Sequence, residues 1–190
     1  MELKRFDIKF FADDPTRVRF EDYTSVFTRW RDEDPEEWLD IADYVHIPSG
    51  PGMMLIGKDH HVSLDNRHGR PGLLYSVREP LSGSNAERIA EGLRRALGFA
   101  ARIEAEESVS VRFDLDVFEF IVNDRVSFPN EEGTSNAVQE DLRSALGDVF
   151  GAGPFEIAWN DDPRERLTLT VTTKESRSAG ELLRDATERI

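Results

Sequence analysis

Cysteine is absent from the 190 residues. That excludes disulfides, thiolate nucleophiles and thiolate metal ligands, and it fits a reducing compartment. Long apolar runs are absent as well. No stretch approaches the roughly 20 residues that span a bilayer, and the opening Met1-Glu2-Leu3-Lys4-Arg5-Phe6-Asp7 lacks the apolar centre of a signal peptide. The expected setting is the cytoplasm, with no membrane partner. Lysine is scarce, confined to Lys4, Lys9, Lys58 and Lys174, and no basic run offsets the net charge of -14. Affinity for nucleic acid comes mainly from Lys and Arg displacing counterions, so no nucleic-acid partner is expected. The acidity itself fits a saline cytoplasm or a genome rich in arginine codons. It speaks to solubility rather than activity.

What is present is an ordinary globular pattern. At 21.6 kDa the chain reads as one compact domain, residues 1–190, with pseudo-halves 1–107 and 108–190. A globule of this size buries roughly 70% of its unfolded surface and needs no staples. Phe6, Ile8 and Phe10 alternate with Asp7 and Lys9, which predicts a half-buried strand. Phe20, Tyr23, Phe27 and Trp30 recur at helical spacing. Leu39, Ile41, Val45 and Ile47 share one face of the next strand, and Asp40, Ala42, Tyr44 and His46 share the other. Two further strands are expected over Met53–Leu64 and Gly72–Val77. Ser84-Asn85-Ala86-Glu87 is a capping box opening a helix with the stripe Ile89, Leu93, Leu97, Ala100 and Ile103.

The second half repeats the theme. Val109–Phe113 and Phe118–Val122 read as a hairpin, Val138, Leu142, Ala145, Leu146 and Val149 as a helix stripe, and Phe155–Trp159 with Leu167–Val171 as a second hairpin. Ser178 and Glu181 cap a last helix. The predicted fold class is α+β: a two-layer sandwich of mainly antiparallel sheet with helices on one face, built from two similar strand-helix-hairpin-helix halves.

The stretch HIPSGPGMMLIGKDHH, residues 46 to 61, carries most of the chemistry-bearing residues. Gly52 to Asp59 matches seven of the eight positions of a phosphate-binding loop. The physics is poor, because Met53-Met54-Leu55-Ile56 suits a buried strand and no helical stripe follows Lys58. Asp59 also stands where a magnesium-binding hydroxyl belongs. A hairpin accounts for the same residues: Pro48 extends Ile47, and Pro51-Gly52 fits the centre of a type II turn.

His46, His60, His61 and His68 cluster in sequence, yet adjacent strand residues leave opposite faces, so His60 and His61 cannot readily share an ion. No His-Glu-x-x-His pattern supports zinc. No metal and no cofactor is expected. There is no Gly-x-Ser-x-Gly elbow either. Asp40, Tyr44 and His46 share a strand face, which leaves them and His60 as candidate acid-base groups.

The blocks His46-Ile47-Pro48-Ser49-Gly50-Pro51-Gly52, Leu64-Asp65-Asn66 with Gly69-Arg70-Pro71-Gly72-Leu73-Leu74-Tyr75, and Phe120-Ile121-Val122-Asn123-Asp124-Arg125 lie in the order expected of a family of bacterial proteins with no assigned activity. The chain resembles that family over about half its length. The resemblance implies a stand-alone bacterial domain and carries over no catalytic residue.

The leading functional expectation is a non-catalytic small-ligand-binding or regulatory domain, with Ser49, Gly50, Gly52, Arg70 and Tyr75 as candidate ligand-binding residues. One alternative is an acid-base or metal-assisted hydrolase using His46 and His60 with nearby carboxylates. Another is a protein-interaction module with a protein partner. A homodimer is compatible with all three.

Overall fold

The structure is a computed structural model that describes residues 1–48 and 50–188. In chain order the elements are β1 (Phe6–Ala12), α1 (Tyr23–Glu33), β2 (Trp38–Tyr44), β3 (Gly52–Gly57), β4 (His60–Asp65), β5 (Gly72–Val77), α2 (Asn85–Glu104), β6 (Phe113–Val122), α3 (Glu132–Phe150), β7 (Glu156–Trp159), β8 (Thr168–Thr172) and α4 (Ala179–Thr187). The strands form one eight-stranded sheet in the order β2-β3-β4-β5-β1-β6-β8-β7. Every pairing is antiparallel. The four helices pack against the sheet as a second layer, which makes the fold a two-layer α+β sandwich.

The helix layer follows from the sequence stripes. Ile89, Leu93, Leu97, Ala100 and Ile103 of α2 are all fully buried, as are Leu142, Ala145, Leu146 and Val149 of α3. Both serine capping boxes are formed, Ser84 with Glu87 and Ser178 with Glu181. Helix α2 lies across β1 and β5. It comes close because position 92 is glycine: a Cβ there would stand 2.6 Å from the ring of Phe6.

The two halves share a frame without matching in detail. In each, the first strand pairs with the last: β1 with β5, and β6 with β8. The halves join where β1 pairs with β6. The second half is strand-helix-hairpin-helix, whereas the first carries a four-stranded meander, β2 to β5, in place of the hairpin. The extra strand arises because residues 53–64, expected as one strand, turn at Lys58-Asp59 and pair back on themselves.

Two other expectations are corrected. The run 109–122 is not a hairpin. Phe113–Val122 is one strand, and its acidic centre is a bulge, with Phe10 paired to Phe118 and Phe11 to Asp114. Asp116 N–H donates to Asp114 Oδ1 at 2.8 Å, so the polar residues that resemble a turn hold an irregular strand. Strand β2 bulges too, between Trp38 and Asp40, which sends Leu39 outward at 57% exposure and buries Trp38 in its place.

The largest departure is β1. Phe6, Ile8 and Phe10 face the helices, as their period predicts, but Asp7, Lys9 and Phe11 on the opposite side are also buried. Among the described residues no helix covers that side. The β4–β5 turn and the β7–β8 loop flank it instead, and together they shape a cleft over the middle of the sheet.

Candidate ligand-binding site

The loop before β3 is a hairpin connection. Gly52 has φ +62 and opens β3, which pairs antiparallel with β2. The carbonyl of Gly50 accepts a hydrogen bond from Asn66 N at 3.1 Å. Ser49 lies outside the described residues. Lys58 sits at the tip of the β3–β4 turn and is followed by strand, so the helix N-terminus that a phosphate loop requires is missing at this point.

The histidines are dispersed. Tyr44 pairs with Gly52 at one end of β3, whereas Trp38 pairs with Gly57 at the other, beside His60. His46 therefore lies beyond one end of these strands and His60 at the opposite end. His60 is buried on the helix side, and His61 points to the helix-free side opposite Ser76. Asp40, Tyr44 and His46 are exposed. Tyr75 is buried on the helix side, stacked on Phe99 at 5.7 Å, away from Arg70. The acid-base group proposed from the sequence is thus not assembled, and the described candidates Gly50, Gly52, Arg70 and Tyr75 do not share one place. Among the described residues no group of three metal-ligating side chains is placed to hold an ion.

Arg70 is the candidate that leads to a site. It lines a cavity of about 290 Å³ on the helix-free face, with Phe11, Arg67, His68, Glu119, Ile121, Asn160, Glu165, Arg166 and Thr168. The position falls where the two halves of the sheet meet, between the β4–β5 turn and the β7–β8 loop. Three guanidiniums converge there against two carboxylates, in a chain of net charge -14.

Each arginine is held differently. Arg70 lies over the ring of Phe11, 3.5 Å from its centroid, and 3.8 Å from Glu119. Cation–π stacking leaves the edge of a guanidinium free for a planar anion. Arg166 donates to Asp7 Oδ2 at 3.0 Å and also to Asn123 Oδ1. Arg67 is half-buried; its guanidinium makes no hydrogen bond and no ion pair within 4 Å among the described residues, and its charge acts at longer range on Asp7. The 3-10 turn Arg67–Gly69, which Arg70 follows, contains His68 at φ 59, the one non-glycine residue at positive φ among those described. Histidine enters that region more readily than most residues, and here it shapes the turn that carries the arginines.

Beneath the arginines lies a buried charged floor. Lys9 Nζ forms an ion pair with Asp65 Oδ1, and the same oxygen accepts from Arg67 N at 3.1 Å. Burial lowers the Lys9 pKa, against the pull of Asp65. Burial also raises the Asp7 carboxyl to about 6, partly offset by the neighbouring Ser76 hydroxyl, the Asn123 amide and the charge of Arg67. The arrangement is a recess in which three guanidiniums outnumber two carboxylates. It can bind and orient an anion.

Sequence reasoning missed Lys9, Asp7, Phe11, Arg67 and Arg166. One signal was readable: Arg67-His68-Gly69-Arg70 is a basic turn in an acidic chain. No family model, no curated protein and no solved structure matches the chain. Among the described residues, no helix is long and apolar enough to cross a membrane.

Proposed function

We propose that this chain is a non-catalytic small-ligand-binding domain whose ligand carries a carboxylate or phosphate group held by Arg67, Arg70 and Arg166. The observation that carries this reading is the Arg67 guanidinium, without an ion-pair partner among the described residues, beside two positioned ones in a concave recess. A half-buried cation in that state favours an anion from solution, and charge-assisted, bidentate hydrogen bonds supply both affinity and orientation. The overall negative charge works against bulky polyanions, so the reading is of a small ligand.

The acid-base alternative keeps one observation, the Glu37 carboxylate 3.2 Å from His60 Nε2. It lacks His46, Asp40 and Tyr44 beside that pair. The interaction-module alternative rests on Leu39, Tyr44 and Ile47, exposed along edge strand β2 and the loop after it.

Titration calorimetry with inorganic phosphate, succinate and citrate tests the proposal. At least one of these anions is expected to bind, and Arg67→Ala and Arg70→Ala are each expected to weaken it at least about tenfold, or about 1.4 kcal/mol. Both side chains are on a surface turn, so the variants keep their fold. Failure of all three anions to bind, or binding that ignores both substitutions, removes this reading.

A further inference from the structure

On the helix side of the sheet, at the end away from the Gly52 loop, four rings meet. The imidazole of His60 lies 5.0 Å from the ring of Trp38, 5.3 Å from Tyr75 and 5.4 Å from Phe99. Trp38 comes from β2, His60 from β4, Tyr75 from β5 and Phe99 from α2, so the cluster ties the helix layer to the sheet. Two features set it apart from ordinary core.

The first is polar. Trp38 Nε1, His60 Nε2 and Tyr75 Oη are all buried, and none has a hydrogen-bond partner among the described residues. Glu37 Oε1 stands 3.2 Å from His60 Nε2 without the alignment of a hydrogen bond. Arg95 approaches Tyr75 in the same incomplete way. An orphaned buried donor or acceptor carries the full cost of its lost hydration. Native interiors rarely tolerate one, and here three lie in adjoining rings.

The second feature is space. His60 and Phe99 border a cavity of about 500 Å³ whose wall is mostly apolar, with Glu37, Arg95 and Arg102 at its rim. The rim offers a carboxylate acceptor and two guanidinium donors. These opposed charges disfavour a ligand of either sign. His60 is held neutral, its pKa pushed down to about 4 mainly by burial, so its ring adds one donor or acceptor rather than a charge. Gly98 leaves the helix side of the cavity without a side chain.

We propose that this cavity is a second binding site, which takes an uncharged nitrogen heteroaromatic ring stacked against Phe99 with its polar edge bonded to Glu37 and Arg95. Planarity matches the aromatic wall, whose offset stacking rewards a flat partner. An edge with both a donor and an acceptor matches the carboxylate and guanidinium rim. The site is independent of the arginine cleft, which lies on the opposite face of the sheet.

The test titrates the full chain with adenine, uracil and nicotinamide, following the His60 imidazole resonances by NMR and the heat by calorimetry. At least one ring is expected to bind and to shift the His60 signals. Gly98→Leu should weaken that binding at least about tenfold, because it fills the cavity. At that position a new Cβ meets only Leu183, at an ordinary 3.8 Å. Arg67→Ala should leave it unchanged. If circular dichroism shows that Gly98→Leu loses its fold, Glu37→Ala decides by the same criterion, since that side chain is 40% exposed. The proposal is overturned if none of the three rings binds, if the cavity variant binds as wild type does, or if Arg67→Ala abolishes the binding.

Discussion

Lys9 and Asp65 form an ion pair on the sheet face that carries no helix, with side chains only 3% and 2% exposed. The two residues come from β1 and β4, which are not neighbours: β5 runs between them. Burial of both charges removes their hydration, so the pair is worth little by itself, but breaking it leaves the survivor stranded. Asp65 is already under-satisfied, because its Oδ2 has no hydrogen-bond partner among the described residues.

Lys9→Met is therefore expected to destabilise the chain by about 3–5 kcal/mol. The double variant Lys9→Met/Asp65→Leu should recover part of that loss, since no lone charge remains. Recovery stays incomplete, because Arg67 N then loses the carboxylate that accepts its hydrogen bond. Urea denaturation of the three proteins measures it. A loss below about 1 kcal/mol in the single variant would mean that the pair is hydrated rather than buried.

The pair also marks what the sequence could and could not reveal. Leu93 and Leu142 were legible as core because helical period alone puts them on a buried stripe. Ser84 and Ser178 were legible as caps because a capping box is local chemistry. Pro51-Gly52 announced a positive φ for the same reason. Lys9 was not legible. Its alternation with the apolar residues Ile8 and Phe10 reads as a solvated position, and its burial depends on a turn 58 residues further along the chain. Arg166 and Asp7 meet across 159 residues. A central strand is known to be buried on both faces only when its neighbours are known, and one sequence does not rank strands across a sheet. The bulges at Leu39 and Asp114 hid for a related reason, since one inserted residue reverses the face of everything after it.

Two buried groups give stability opposite pH slopes. Burial lowers His60 from 6.5 to about 4, so the unfolded chain takes up a proton there before the folded one does. Its contribution is complete above pH 6.5 and is lost as pH falls toward 4. At about 1.36 kcal/mol per unit this amounts to about 3 kcal/mol. Asp7 runs the other way. Burial raises it from 3.8 to about 6, so its contribution is complete below 3.8 and is lost as pH rises through 6. Between about pH 4 and 6 the two slopes oppose each other. His60→Phe should flatten the acid-side loss of stability, and Asp7→Asn should steepen it. Denaturation midpoints at intervals across that range would show it, and parallel profiles for wild type and His60→Phe would contradict the neutral, buried imidazole.

The loop before β3 separates a turn from a nucleotide site. At Gly52 the backbone has φ +62, and a Cβ there would stand 2.0 Å from the carbonyl oxygen of Leu64 and 2.9 Å from the ring of Phe20. Alanine at this position meets both the steric cost of positive φ and a backbone clash with β4, which pairs with β3 and cannot give way without breaking the ladder. Gly52→Ala should therefore cost well over about 1 kcal/mol. Lys58 is exposed at the tip of the next turn, where its backbone N–H donates to Glu37 O at 3.2 Å. Lys58→Ala keeps that N–H and should change stability by less than about 0.5 kcal/mol. A phosphate loop predicts the reverse weighting, with Lys58 reaching the phosphates and the glycine loop opening a helix. Titration of wild type and Lys58→Ala with ATP and GTP in the presence of magnesium should give no binding by either protein. Micromolar binding by wild type that disappears in Lys58→Ala would overturn the turn assignment, because strand β4 occupies the place where the anion-binding helix has to begin.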